Sequence, residues 1–125
     1  MVFGVGIDII EVERVEHRVA SGNGFREMVF SPAEIEYCEK IKNKYENYAV
    51  RFSAKEAFLK AMGTGWTSES NYHEIEVINN ESGKPHIHLS GTTLKTFTRM
   101  KLGKISLSMS HLKSMATAVV IIESL

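Results

Sequence analysis

The chain has few residues that could cross-link it or anchor it in a membrane. It contains a single cysteine, Cys38, so no internal disulfide can form and a reducing compartment is expected. The longest uninterrupted apolar run, 118–122, is far shorter than the roughly 20 residues that cross a bilayer. No basic segment followed by an apolar one opens the sequence, as a signal peptide would require. These absences predict a cytoplasmic protein without a membrane partner.

A surplus of charge of either sign is also missing. The 15 lysines and arginines balance 15 aspartates and glutamates, so no overall field attracts nucleic acid or anionic lipid. A charged partner must therefore bind through a local patch. A chain of 125 residues usually forms one domain, and burial of about two-thirds of its unfolded surface suffices for a core without disulfides. We predict a single domain over residues 1–125.

Several common catalytic motifs are absent as well. The sequence has no Walker A loop, CxxC pair, HExxH or GxSxG. Gly4-Val-Gly6 lacks the third glycine of a dinucleotide-binding loop. The histidines do not stand at zinc-ligand spacing with Cys38, and His86 and His88 alone make a poor zinc site.

The hydrophobic pattern predicts the α+β class, with helices in the first half around a long central helix and an antiparallel sheet in the second half. Helices are expected at 11–20, from the Ser31-Pro-Ala-Glu34 capping box to about 41, and over 90–100. Residues 42–44 are expected to link the second of these to the long central helix, which contains 51–62. Strands are expected at 2–12, at 74–78 and 86–89 as a hairpin, at 104–111 and at 115–122. In the helix at 90–100, Leu94 and Phe97 should face inward, and Gly103 should close it.

The central helix presents two different faces. Val50, Ala54, Ala57 and Ala61 share one face at helical spacing, so that another backbone can approach closely there.

A neighbouring face carries Ser53, Glu56 and Lys60 and leads to the turn Gly63-Thr-Gly65. An anionic and a cationic group beside a glycine turn suit a metal ion and a phosphate. The alternative is an exposed ion pair between Glu56 and Lys60, worth about 0.2–0.5 kcal/mol.

Asp8 interrupts the apolar opening strand between Ile7 and Ile9. It could cap the following helix, lie on a solvated face or bind a cation, because a buried carboxylate is costly unless it is paired or coordinated. Asp8 and Glu56 together would suit Mg²⁺, with Lys60 reaching a phosphate oxygen, as in phosphoryl transfer. Spacing in the sequence leaves open whether the two carboxylates meet.

Five short motifs occur together and in order: Gly6-Ile-Asp-Ile-Ile-Glu11, Arg51-Phe-Ser-Ala-Lys-Glu-Ala-Phe58, Gly63-Thr-Gly65, Gly83-Lys-Pro85 and Ser108-Met-Ser-His111. With these motifs the chain closely resembles, from end to end, the holo-acyl-carrier-protein synthases, a group of small bacterial phosphopantetheinyl transferases. The combination of the first two motifs is specific, although each motif alone is weak.

The resemblance implies the phosphopantetheinyl transferase fold, a homotrimer with active sites between subunits, coenzyme A as substrate and a Mg²⁺ ion. A serine hydroxyl of apo acyl carrier protein would attack the phosphate attached to pantetheine, and adenosine 3′,5′-bisphosphate would leave. Asp8 and Glu56 match the family's metal-binding acids. Lys60 matches a lysine near the pyrophosphate, suited to stabilising charge on the leaving side.

The resemblance also implies where the nucleotide binds. The backbone at Gly63 and the turn Gly83-Lys84-Pro85 match positions that hold it, and His111 matches a histidine near the adenosine end. From its pattern alone, His111 would be a histidine at the edge of the core. A trimer would give the last strands, and the alanine face of the central helix, a second reason to be apolar.

Arg14 and Arg18 lie four residues apart on the first helix, by pattern on a solvated face among glutamates. The resemblance implies that they bind acyl carrier protein, a strongly acidic partner that a neutral enzyme must capture through a local basic patch. Arg26 is a third candidate. A competing hypothesis is a non-catalytic module that binds an acidic partner through Arg14 and Arg18, and another is a trimeric metal enzyme acting on a different pyrophosphate ester.

Three residues depart from the family pattern. Ser53 stands where the family usually has alanine, and its hydroxyl either bonds to Glu56 or is merely tolerated. Met109 and Met115 stand where isoleucine and an aromatic residue are common, which touches packing. The general base is either Glu56 or a metal-bound water.

Overall fold

The computed structural model describes residues 1–64 and 71–125. Gly65 of the predicted Gly63-Thr-Gly65 turn lies outside them. The elements in chain order are β1 (Val2–Glu11), α1 (Val12–Ala20), α2 (Phe25–Val29), α3 (Pro32–Glu39), α4 (Lys44–Met62), a 3₁₀ turn (Tyr72–Glu74), β2 (Ile75–Asn79), β3 (Pro85–Leu89), α5 (Gly91–Arg99), β4 (Leu102–His111) and β5 (Met115–Ser124). The predicted α+β class is confirmed. Within these ranges no helix has both the length and the apolar composition to cross a bilayer.

The first and last strands of the chain meet in one sheet. β1 pairs antiparallel with β5, and β5 pairs antiparallel with β4, while β2 and β3 form a separate hairpin. The predicted hairpin is therefore confirmed, and the antiparallel sheet of the second half also includes the opening strand. The register sets Asp8 of β1 opposite Ala118 of β5.

Helix α4 packs directly on the inner face of β1. A Cβ atom added at Gly4 would collide with the backbone of Ala61, and one added at Gly6 with the backbone of Ala57. The close approach predicted for the alanine face is confirmed, and its partner is β1 of the same chain. The expectation that subunit contacts also explain this face is wrong, because the alanines are already buried within one chain.

The signals that begin α3 and end α4 act as predicted. The backbone N–H of Glu34 donates to the Ser31 hydroxyl, and the backbone N–H of Ser31 donates to the Glu34 carboxylate, with Pro32 at the first helical position. Helix α4 ends at Gly63, whose φ of 80° is left-handed. The five-residue helix α2 was not predicted, because it is too short to show a period.

Two expectations for α5 are wrong. Leu94 is exposed rather than inward, because the core cluster reaches this helix at Phe97 and Met100, near its C-terminal end. Gly103 does not close the helix but lies within β4, and Lys101, with a φ of 58°, adopts the left-handed conformation that turns the chain.

Candidate active site

Asp8 and Glu56, far apart in the sequence, line one cavity of about 250 Å³. Asp8 comes from the middle of β1, on the face that packs against α4, and Glu56 comes from the C-terminal half of α4. The glycine and alanine contacts bring the strand and helix backbones together and so bring these side chains to the same cavity. The juxtaposition that the sequence left open is present within one chain.

Three side chains hold Asp8 in place. The buried hydroxyl of Ser53 lies 3.0 Å from Oδ2 of Asp8 and 3.1 Å from its carbonyl oxygen. Thr117 Oγ1 donates to the same carbonyl at 2.7 Å, and Lys60 Nζ lies 3.2 Å from Oδ1. Ser53 therefore bonds to Asp8 rather than to Glu56, because its side chain leaves the helix toward the strand.

Glu56 is bound by a tyrosine and not by the lysine one turn later. The hydroxyl of Tyr72 donates to Glu56 Oε1 at 3.2 Å, whereas Lys60 pairs with Asp8. Burial raises the pKa of Glu56; the Tyr72 hydrogen bond lowers it, the charge of Asp8 raises it further and Lys60 lowers it. A carboxylate whose charged form is disfavoured in this way gains from a nearby cation.

This pair of carboxylates fits a hard divalent cation. Asp8 and Glu56 offer the oxygen ligands that Mg²⁺ prefers, and Mg²⁺ usually completes its shell with water and substrate phosphate. Over residues 1–64 and 71–125, no group of three or more histidine, cysteine, aspartate or glutamate side chains could hold a metal ion. The two carboxylates therefore suit a cation that is shared with a phosphate.

Arg14 and Arg18 line the same cavity from α1, and both are exposed. Arg26 differs, since its guanidinium contacts Glu27 at 2.6 Å and Glu39 at 3.3 Å. The structure thus places two of the three predicted docking arginines beside the carboxylates and leaves the third already paired.

A second cavity, of about 370 Å³, is lined by Arg51 and by Gly83 of the turn Gly83-Lys84-Pro85. Arg51 is 2% exposed, and its Nη2 donates to Asn79 Oδ1 at 2.8 Å. Its Nε is buried and has no hydrogen-bond partner among the described residues. Glu81 lines the same cavity, but no ion pair joins an acidic side chain to Arg51 in the described part of the chain. A buried guanidinium without a carboxylate suits an anion.

Sequence reasoning treated Arg51 only as the first residue of a motif and missed this role. The available signal was an arginine within a helix whose neighbouring positions, Val50 and Phe52, are apolar.

His111 lies at the end of β4, with Nδ1 2.8 Å from Glu46 Oε1. Among the described residues, neither His111 nor the turn at Gly83 lines the cavity of Asp8 and Glu56. Gly63 ends α4 three residues after Lys60. One chain therefore brings together the two acids and Lys60, but not the predicted nucleotide-binding residues.

The site thus consists of a long helix packed on the opening strand, with two carboxylates and a lysine where the two elements meet. The model of the 4′-phosphopantetheinyl transferase superfamily matches residues 4–120 of this chain. The chain belongs to that superfamily.

Sequence relatives within this superfamily point to a narrower group, the holo-[acyl-carrier-protein] synthases. The chain is 42% identical over 124 residues to the holo-[acyl-carrier-protein] synthase of Geobacter sulfurreducens, with 98% of each chain covered. It is 54% identical over 86 residues to the synthase of Cytophaga hutchinsonii, covering 69% of this chain and 68% of the relative. The family resemblance inferred from the motifs is confirmed.

Solved structures agree in fold. The holo-[acyl-carrier-protein] synthase of Neisseria meningitidis matches with a TM-score of 0.91 and 29% identity, covering 99% of this chain and 100% of that one. The synthase of Bacillus anthracis, solved in complex with CoA (3′,5′-ADP), matches with a TM-score of 0.83 and 36% identity, covering 100% and 99%.

Proposed function

We propose that this protein transfers the 4′-phosphopantetheine group of coenzyme A to a serine hydroxyl of apo acyl carrier protein, releasing adenosine 3′,5′-bisphosphate. The convergence of Asp8, Glu56 and Lys60, in a chain that belongs to the phosphopantetheinyl transferases, carries this proposal. Relatives named holo-[acyl-carrier-protein] synthase support the carrier protein as acceptor, and the Bacillus anthracis synthase, solved in complex with CoA (3′,5′-ADP), supports the donor. We keep the cytoplasm as the proposed location, since the one cysteine is a free thiol.

Each residue of the first cavity has a proposed role. Asp8 and Glu56 would hold a Mg²⁺ ion, which when bound polarises the phosphate and neutralises charge on the diphosphate. The side chain of Lys60 is 54% exposed, so its ammonium can turn from Asp8 to a phosphate oxygen without leaving a buried site. The serine proton would be accepted either by Glu56, which lines this cavity, or by a water molecule held there.

The nucleotide end of coenzyme A is proposed to lie against the second region. The candidate residues are Arg51, whose buried Nε has no hydrogen-bond partner among the described residues, the turn Gly83-Lys84-Pro85 and His111. The backbone at Gly63 is a further candidate. This region does not line the carboxylate cavity of the same chain. We therefore place the two regions in different subunits of a homotrimer, with each active site shared.

The outer face of the three-stranded sheet supports this assembly. Val5, Ile7 and Ile9 on β1 are 58%, 65% and 65% exposed. Two of them lie directly opposite apolar residues of β5, as the pairs Val5 with Ile121 and Ile7 with Val119. A contiguous apolar strand face of this kind is typical of a protein interface. Light scattering should therefore give three 14.0 kDa chains, and a monomer active at nanomolar concentration would contradict the shared site.

Carrier-protein docking is proposed for Arg14 and Arg18, with Arg26 in a lesser role because acidic neighbours already neutralise it. Charges at the rim of an interface mainly speed encounter. Replacement of Arg14 and Arg18 by glutamate should slow capture of the carrier protein, most strongly at low salt.

The decisive experiment incubates the protein with coenzyme A, Mg²⁺ and apo acyl carrier protein. The intact mass of the carrier protein should rise by one phosphopantetheine. Asp8→Ala and Glu56→Ala should abolish nearly all transfer while circular dichroism shows a retained fold, and Glu36→Ala, at an exposed glutamate of α3, is the matched control. Full transfer by both site variants would remove Asp8 and Glu56 from the reaction. No transfer by the wild type, with carrier-protein binding that both site variants retain, would favour a non-catalytic docking module. No transfer by the wild type, with cleavage of another pyrophosphate ester, would favour a different metal enzyme.

A further inference from the structure

Tyr72 joins the buried core to the carboxylate cavity. Its hydroxyl donates to Glu56 Oε1 at 3.2 Å, and its carbonyl oxygen accepts from Lys55 Nζ at 2.9 Å. Its ring lies 5.6 Å from the ring of Phe52, between centroids. Two consecutive residues of α4, Lys55 and Glu56, thus hold the backbone and the hydroxyl of one tyrosine.

The backbone end of this arrangement is firmly fixed. Lys55 is completely buried, and its ammonium also donates to Glu34 Oε1 at 2.7 Å and to the carbonyl of Ile75 at 2.6 Å. The other Glu34 oxygen accepts from the backbone N–H of Val77 at 3.0 Å. The chain at Tyr72 is therefore tied to α4 through a buried ion pair, which places the residue where its hydroxyl reaches Glu56.

We propose that Tyr72 is a positioning residue for Glu56, holding Oε1 so that the carboxylate is already oriented for the cation it shares with Asp8. This inference rests on the proposed function. Mg²⁺ demands nearly ideal octahedral geometry, so a ligand that is oriented beforehand binds it better. A phenol suits this task because it orients the carboxylate without bringing a positive charge that would repel the cation.

Asp8 is held in a parallel way. The hydroxyl of Ser53, completely buried, lies 3.0 Å from Asp8 Oδ2. Each of the two carboxylates therefore has a neutral hydroxyl donor on one of its oxygens: the buried Ser53 of α4 for Asp8 and the half-buried Tyr72 for Glu56. Hydrogen-bonding groups behind metal ligands typically change metal affinity by about 10–100-fold.

The test compares two phenol–carboxylate bonds in the same chain. Tyr72→Phe keeps the ring against Phe52 and removes only the hydroxyl. Tyr48→Phe is the matched control, because Tyr48 donates to Glu39 Oε2 at 2.6 Å and, in the described residues, does not line the carboxylate cavity. Mn²⁺ binding is followed by electron paramagnetic resonance with saturating coenzyme A and without carrier protein, and unfolding in urea is measured in parallel.

Tyr72→Phe should weaken Mn²⁺ binding about tenfold, whereas Tyr48→Phe should leave it unchanged. The cation concentration for half-maximal transfer should rise by the same factor, with KM for coenzyme A unaltered. If Glu56→Gln loses Mn²⁺ binding but Tyr72→Phe retains wild-type affinity, the positioning role is wrong and the proposed function stands. If the wild type itself binds no Mn²⁺, both are wrong.

Discussion

Two lysines of helix α4, Lys55 and Lys60, each face an acidic residue from another part of the fold, and their surroundings differ completely. The ammonium of Lys55 is fully buried and bonds to Glu34 and to two backbone carbonyls. The ammonium of Lys60 bonds to Asp8 at 3.2 Å and to the carbonyl of Ile7 at 3.0 Å, with a side chain that is 54% exposed.

The two environments give Lys55 a structural role and leave Lys60 able to contact a substrate. All three hydrogens of the Lys55 ammonium are used inside the core, so this lysine cannot serve a substrate. Burial lowers the pKa of Lys55, and the charge of Glu34 opposes that shift. Lys60 meets solvent at the edge of a cavity and can exchange its partner for a phosphate. Lys55 and Lys60 lie on the same helix, little more than one turn apart, and they have different tasks because different groups pack around them.

The largest expected effect is the loss of stability when the buried lysine, Lys55, is replaced. Lys55→Ala leaves the Glu34 charge buried without a partner and should lower the free energy of unfolding by about 3–5 kcal/mol. Lys60→Ala, at an exposed pair, should lower it by less than about 1 kcal/mol. Urea denaturation measures both. The double variant Lys55→Met with Glu34→Gln should be more stable than Lys55→Ala, because it removes the unpaired charge. Equal losses for Lys55→Ala and Lys60→Ala would show that burial does not distinguish the two lysines.

The second effect is the loss of transfer rate when the exposed lysine, Lys60, is replaced. Lys60→Ala should slow phosphopantetheine transfer by about 10²–10³-fold, because a group that stabilises charge in the transition state typically contributes that much. The rate is measured from the mass of the carrier protein over time. Lys40→Ala, which removes an exposed lysine paired with Glu36, is the control and should transfer at the wild-type rate. A wild-type rate for Lys60→Ala would remove this lysine from the reaction.

The smallest expected effect concerns two carboxylates. Glu34 pairs with the ammonium of Lys55, whereas Glu56 forms no ion pair within the described residues. The pKa of Glu56 is raised in the folded chain, so at pH values between its ordinary and raised pKa the folded chain keeps a proton that the unfolded chain has released. The free energy of unfolding therefore falls as pH rises through that window. Glu56→Gln removes this loss and should exceed the wild type in stability at pH 7.5 by up to about 1 kcal/mol.

The measurement is urea unfolding in EDTA at pH 3 and pH 7.5. The two proteins should be equally stable at pH 3, which lies well below the ordinary pKa of a glutamate, so that the carboxyl is protonated in both states. A saturating divalent cation should reverse the order at pH 7.5 by binding the wild type alone. A difference between the proteins that does not change with pH would contradict the raised pKa.

Much of the fold could be predicted from local signals. The capping box at Ser31 and the left-handed turn at Gly63 mark helix ends whose physics is confined to a few residues. The alanine face of α4 correctly predicted a close backbone neighbour, but not that β1 would be that neighbour. Leu94 and Gly103 were misassigned because the reach of the core over α5, and the turn at Lys101, depend on distant strands.

The candidate site was predictable only through resemblance. The motifs singled out Asp8, Glu56 and Lys60, but helical spacing alone favoured an ion pair between Glu56 and Lys60 that the fold replaces with one between Lys60 and Asp8. Tyr72 had no signal of its own, because a tyrosine before a strand is an ordinary feature. The signal at Arg51 was weak, since it consisted only of apolar neighbours on each side of an arginine in a helix.

The sequence by itself determined the α+β pattern, the helix ends marked by Ser31 and Gly63, the zero net charge, and the motifs that the chain shares with a transferase family. Those properties depend on neighbours within a few positions or on composition. The tertiary structure alone decided that the first strand lies on the central helix and pairs with the last strand. It also decided which lysine is buried and which hydroxyl holds each carboxylate, because burial and hydrogen bonding depend on groups that only folding brings together.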